Sequence, residues 1–162
     1  MTEANQSDFI QSNVWVFYRI AKESFESMKN DISSGRRPKP NGEPGWIITY
    51  DPEQKGYKAA LVVIVFSGMF LEALLHLLIV SRKGIGTFKS YDSKKYEEKL
   101  RLLDCTDESI LSLCENYRQV RREIVHEKAH LDKTTIRFAQ KEAESAITMI
   151  TRIADFFKLK LG

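Results

Sequence analysis

The residues Arg121-Arg122-Glu123-Ile124-Val125-His126, with Glu127-Lys128-Ala129-His130 directly after them, gather two of the chain's three histidines. With Arg118 one turn upstream they also hold three closely spaced arginines. Two chemistries can be written on these letters. Arg121, separated from His126 by four residues, supplies a guanidinium fork that holds a phosphate beside an imidazole that moves a proton near neutral pH. That is the equipment of a metal-free ribonuclease. The overlapping string His126-Glu127-Lys128-Ala129-His130 spells H-E-x-x-H, in which two imidazoles bind zinc and the glutamate acts as base. Its context is poor. Lys128 puts a charge where zinc-protease helices prefer none, the candidates for a third ligand, Glu142 and Glu144, follow too soon, and little strand is available to bind a peptide. No metal or other cofactor is expected.

These side chains need a helix to present them. The preceding stretch places Ile110, Leu113, Tyr117, Val120 and Ile124 on one apolar stripe. At about 100° per residue, Arg121 lies some 40° off that stripe, at the edge of a core. Arg122 falls at about 140° and His126 at about 180°, so Arg118, Arg122, His126 and His130 make one polar row if the helix continues. The same arithmetic puts Arg121 and His126 on different faces, some 140° apart, and asks for a helix end near Val125 or convergence across a subunit interface. The bland reading of the row is a solvated helix face.

Length and composition bound the rest. A chain of 162 residues is expected to form one domain, 1–162, burying about 70% of its unfolded surface around a single core. Charged residues make up 29% and apolar residues 43%, a soluble globular balance. The net charge of +3 is too small to imply a polyanionic partner by itself, but seven basic and four acidic residues between Glu115 and Lys141 carry the whole excess. Cys105 and Cys114 lack C-x-x-C spacing, and the N-terminus lacks a basic start and an apolar run, so a reduced, cytoplasmic setting is expected.

Along the chain, Phe9, Val16, Phe17, Ile20, Phe25, Met28 and Ile32 recur at helical spacing over 7–33. A Pro/Gly-rich basic loop over 36–45 follows, read as a connector, then Trp46–Tyr50 as a short strand or an extended segment packed on the helices. The run 59–80 is apolar nearly all round and long enough to span a bilayer, yet Glu72 near its centre would cost about 2.5–3.5 kcal/mol there. A central buried helix, with no membrane partner, is the economical alternative. Glu72 and His76 share one face of it, either satisfied against an arginine or supporting a site. Gly84-Ile85-Gly86 reads as loop. A shorter helix is expected over 93–103, with Thr106 or Asp107 capping the next. The last helix, capped from 132–135, has the stripe Ile136, Ala139, Ala143, Ala146, Ile147, Ile150, Ile153, Phe157 and Leu161. Leu111 and Val125, off the main stripe, are expected to be exposed and suited to a helical dimer. The architecture that follows is all-α, an antiparallel four-helix bundle with one additional short helix.

The long first helix, the apolar second helix, the R-x4-H at the end of the penultimate major helix and the long alanine-rich last helix together resemble the HEPN superfamily (higher eukaryotes and prokaryotes nucleotide-binding). Arg121-Arg122-Glu123-Ile124-Val125-His126 is similar to that family's R-x4-6-H motif, with the departure that Arg122 stands where an Asn, Asp or His is usual. The resemblance implies a metal-independent endoribonuclease, often of a toxin–antitoxin or phage-defence system, in which two motifs of a homodimer meet in one cleft. Arg121 and His126 would be the catalytic residues, with Arg118, Arg122 and His130 binding RNA. The products would be 2′,3′-cyclic phosphate and 5′-hydroxyl ends, and an antitoxin or other protein partner is implied. A non-catalytic helical binding or regulatory module is the competing expectation.

Overall fold

The computed structural model describes residues 6–48, 51, 53–124 and 138–159, with the side chains of the first helix described from Asn13 onward. The described chain is predominantly helical: α1 (Gln6–Ser34), α2 (Lys55–Lys83), α3 (Ile85–Tyr91), α4 (Tyr96–Leu102), α5 (Glu108–Ile124) and α6 (Ala139–Phe156). Two three-residue strands, β1 (Arg36–Pro38) and β2 (Trp46–Ile48), pair antiparallel with Arg37 opposite Ile47. Trp46–Tyr50 therefore starts as a strand, but one that leaves the helices rather than packing on them: Trp46 is 59% and Ile48 73% exposed.

α2 is the element the others cover. Ala60, Ile64, Leu71, Leu75 and Ile79 are fully buried, as is Val63 on the adjoining side, so the helix is apolar because it is enclosed from several directions. It is long and apolar enough to cross a membrane; here α1, α3, α4, α5 and α6 all pack against it. α1 runs antiparallel to it, with Ile32 beside Gly56 at one end and the Tyr18 and Phe70 rings 5.5 Å apart toward the other. The stripe of α1 is centred on Val14, Tyr18, Ala21 and Met28, and Val16, expected inside, is exposed. Val14, Tyr18 and Ala21 follow i, i+4, i+7 spacing, and Val16 falls off that face.

Ala139, Ala143 and Ala146 of α6 are buried in sequence and give way to Met149, Ile150 and Ile153, which thickens the contact toward the C-terminal end. The described part of α6 begins at Ala139 with Phe138 as its cap, so Ile136 and the caps expected at 132–135, like Leu161, lie outside the described residues. Asp107 caps α5, its Oδ1 accepting from the Ser109 and Ile110 backbone N–H groups at 2.9 and 3.3 Å. Arg152 near the end of α6 reaches the same aspartate at 3.3 Å, which sets α5 and α6 antiparallel.

Two further expectations are overturned. Leu111 is 3% exposed, not an exposed dimer contact, because α5 is covered by α4 on one side and α6 on the other; its buried set is Ile110, Leu111, Cys114, Tyr117 and Val120. Gly84-Ile85-Gly86 is not a loop: Gly84, at φ 87°, ends α2 and begins α3 at once. Glycine tolerates that backbone and so permits the chain to turn without a linker. The helix expected over 93–103 narrows to α4, with Ser93 in the turn before it.

Candidate functional site

Glu72, near the middle of the apolar helix α2, is the group around which the site is built. Tyr96 Oη donates to its Oε1 at 2.6 Å, and Arg121 Nη1 donates to the same oxygen at 2.5 Å and to Tyr96 Oη at 2.8 Å. Three elements, α2, α4 and α5, thereby meet in one closed triangle of hydrogen bonds. Arg121 sits at the edge of the core, where its place beside the stripe puts it, with 28% of its side chain exposed.

The room for this guanidinium is made by Gly68, one turn before Glu72. A Cβ there would stand 2.5 Å from Tyr117 Oη and 3.3 Å from Arg121 Cζ and Nε. Tyr117, which lies across the glycine, donates to the Ile64 carbonyl at 2.5 Å and is buried. The buried phenol next to an arginine is thus satisfied by backbone and does not compete for Glu72.

Electrostatics follow from the geometry. Burial pushes the Glu72 carboxyl upward, but the hydrogen bonds from Tyr96 and Arg121, with the charges of Arg121 and Lys99, outweigh it and hold the group below the usual carboxylate range. Burial, then the Glu72 hydrogen bond, raises the Tyr96 phenol well above its ordinary value. Burial disfavours the charge of Arg121, and the Glu72 hydrogen bond together with the electrostatic attraction of Tyr96, Glu72 and Tyr117 more than restores it. The triangle therefore holds one anion, one cation and a neutral phenol at physiological pH.

Arg118, one turn earlier on α5, meets Glu97 at 3.5 Å and Glu115 at 3.9 Å. This contact is looser, and among the described residues Glu97 Oε2 and Arg118 Nε are buried without hydrogen-bond partners. Arg122 is exposed and, among the described residues, paired with no acid.

All three arginines line one cavity of about 730 Å3, together with Glu72 and His76 from α2, Phe88 from α3, and Tyr96 and Lys99 from α4. Its wall holds six lysines or arginines against two acids, Glu72 and Asp92. A concave surface with that excess concentrates anions, and the guanidinium groups suit phosphate oxygens. Arg118, Arg121 and Arg122, the candidate arginines of the sequence, are brought together here by the fold. His126 and His130, and with them all of His126-Glu127-Lys128-Ala129-His130, lie outside the described residues. Among the described residues no group of three or more His, Cys, Asp or Glu side chains could hold a metal ion.

Tyr96, Phe88, Lys94, Lys95, Lys99 and Gly68 were not named from sequence. Lys94 and Lys95 sit in an ordinary run of charged residues, and nothing in their spacing marks them. Glu72 did carry a signal: a carboxylate in the middle of an apolar helix needs a partner, and the partner is Arg121. Comparison of the chain with protein-family models, with curated proteins and with solved structures finds no match.

Proposed function

We propose that this protein is a metal-independent endoribonuclease of HEPN type, an antiparallel bundle of α1, α2, α5 and α6 with α3 and α4 carried at its side, acting as a homodimer. The observation that supports it most is the cation-lined cavity in which Arg121 is held rigid by Glu72 and Tyr96. A preorganised guanidinium at the edge of a cleft stabilises charge that develops on a phosphoryl oxygen without having to reorganise first. Arg118 and Arg122 add phosphate contacts on the same wall.

In this reading the 2′-oxygen of a ribose attacks the adjacent phosphorus and the bond to the 5′-oxygen breaks. The 2′-hydroxyl proton passes to one imidazole, and the departing 5′-oxygen takes a proton from a second. His126 fills both roles if two motifs meet across a homodimer, with His130 binding substrate. The products are a 2′,3′-cyclic phosphate and a 5′-hydroxyl. A toxin–antitoxin or phage-defence role, with an antitoxin partner, accompanies the family reading.

One observation favours a second reading, a non-catalytic helical binding module. Arg121 Nη1 is already committed to Glu72 and Tyr96, which is how a purely structural tie between α2, α4 and α5 would look. The two readings separate in a cleavage assay on labelled, structured RNA in excess EDTA, with folded wild type, His126→Ala and Arg121→Ala. Cleavage by wild type alone, leaving cyclic-phosphate ends, is the expected result. No cleavage by folded wild type sinks the ribonuclease reading and leaves the binding module.

A further inference from the structure

The cavity has a second wall that the reaction described above does not use. His76 lies one turn beyond Glu72 on α2, and its ring stacks on Phe88 of α3 with centroids 3.9 Å apart and planes within 14°. Both rings are half-buried and both line the cavity. Beside them the turn from α3 to α4 brings Lys94 and Lys95 to the same space. Among the described residues the Lys95 ammonium is paired with no acid, its backbone N–H donating to Glu98 Oε2 at 3.1 Å, whereas the Lys94 ammonium stands 3.8 Å from Glu98.

The wall is held in place. Lys99, 8% exposed, donates from Nζ to the Asp92 carbonyl at 2.7 Å and so clamps the turn that carries Lys94 and Lys95. α3 is fixed to the end of α2 by the Phe88 N–H to the Gly84 carbonyl at 3.2 Å and by Thr87 Oγ1 to the Lys83 carbonyl at 2.9 Å. Phe88 and Lys95 are therefore presented at set positions, with Arg122 of α5 lining the same cavity.

A paired aromatic face flanked by cations binds a nucleotide through base stacking and phosphate attraction together, and the stacking is tolerant of base identity. The cavity, about 730 Å3, is within the range of small-ligand sites and has room for one nucleotide beyond the reacting phosphate. We propose that the His76–Phe88 stack, with Lys95 and Arg122, is the subsite for the nucleotide flanking the scissile phosphate, taking its base on the rings and its phosphate on the cations. The proposal rests on the ribonuclease reading for the word scissile, and on geometry alone for the binding.

The test uses a fluorescein-labelled 2′-O-methyl hexauridylate, which lacks the free 2′-hydroxyl and cannot be cut by transesterification, so binding is read apart from cleavage. Affinity is measured against salt for wild type, His76→Gln, Phe88→Leu and Lys95→Gln, each checked by circular dichroism and thermal melting. The stack variants weaken binding about tenfold with the wild-type salt slope, and Lys95→Gln lowers the slope by about one. His76→Gln repeats the test should Phe88→Leu unfold. Folded stack variants that bind like wild type overturn the subsite, as does a wild type that does not bind the probe. Stack-dependent binding without cleavage of unmodified RNA sinks the ribonuclease reading and leaves the nucleotide subsite standing.

Discussion

Arg121 and Arg118 stand about one turn apart on α5, each facing a glutamate, yet the two pairs are built differently. Arg121 lies 2.5 Å from Glu72, and Tyr96 closes the triangle, so donors and acceptor satisfy one another. Arg118 stands 3.5 Å from Glu97, at the limit of a hydrogen bond, and among the described residues Arg118 Nε and Glu97 Oε2 are buried and unpaired. Unsatisfied buried polar atoms cost about 1–3 kcal/mol each. The first arginine is therefore fixed before any ligand arrives, while the second gains by meeting one. A site that must both position and capture a phosphate needs both kinds.

The sharpest way to break that contrast is in catalysis. Arg121→Ala lowers kcat/KM for RNA cleavage about 100-fold or more, because a preorganised donor acts on the transition state. Arg118→Gln lowers it about tenfold, through KM, as one lost phosphate contact should. Steady-state kinetics on a short RNA decides it, and the reverse order would mean that the looser arginine is the catalytic one.

Stability comes next. Arg121→Met together with Glu72→Gln removes the well-satisfied pair and costs about 1 kcal/mol in urea unfolding, whereas Arg118→Met together with Glu97→Gln removes the poorly satisfied one, leaves no charge stranded, and costs about 0.5 kcal/mol or less. Equal losses would show that the tight geometry contributes nothing extra. Gly68→Ala probes the same corner from behind. The added methyl gains up to about 1 kcal/mol of helix propensity but forces Tyr117 and Arg121 aside, for a net loss of about 1–2 kcal/mol. Gly86→Ala, where a Cβ meets nothing within 4 Å, is the control and is neutral or stabilising.

The contrast also shows what the sequence could and could not reveal. Helical periodicity located the major helices and placed Arg121 at the margin of the core, because burial of one face is written into residue spacing. Glu72 was legible as a carboxylate in need of a partner for the same reason. Its partner was not, since Arg121 and Tyr96 are 49 and 24 residues away and only the packing of α4 and α5 against α2 brings them to it. Leu111 was misplaced because a single stripe per helix was assumed, while α5 is covered on two sides by α4 and α6. The α3 helix was missed because Gly84 and Gly86 weaken local propensity. Phe88 and Lys95 thus became cavity residues through a turn that no local pattern announces.

The smallest effect is in pH and isolates the tight pair. The Glu72 carboxyl is held lower in the folded protein than in the unfolded chain, so below the ordinary carboxylate range the unfolded state binds the extra proton. Its contribution is fully present above that range, about pH 4 to 5, and fades as pH falls through the lowered folded value. Because 49% of the Glu72 side chain is exposed, solvent screens the pair and the contribution is on the order of 1 kcal/mol or less. Wild type should accordingly exceed Glu72→Gln in urea stability by a constant margin from about pH 5.5 to 7, and the margin should close as pH is lowered toward 3. A margin that persists unchanged at pH 3 would mean that Glu72 acts through its shape and hydrogen-bonding to Tyr96 rather than through its charge on Arg121. The rigidity assigned to that arginine would then have to come from Tyr96 and from the narrow space beside Gly68.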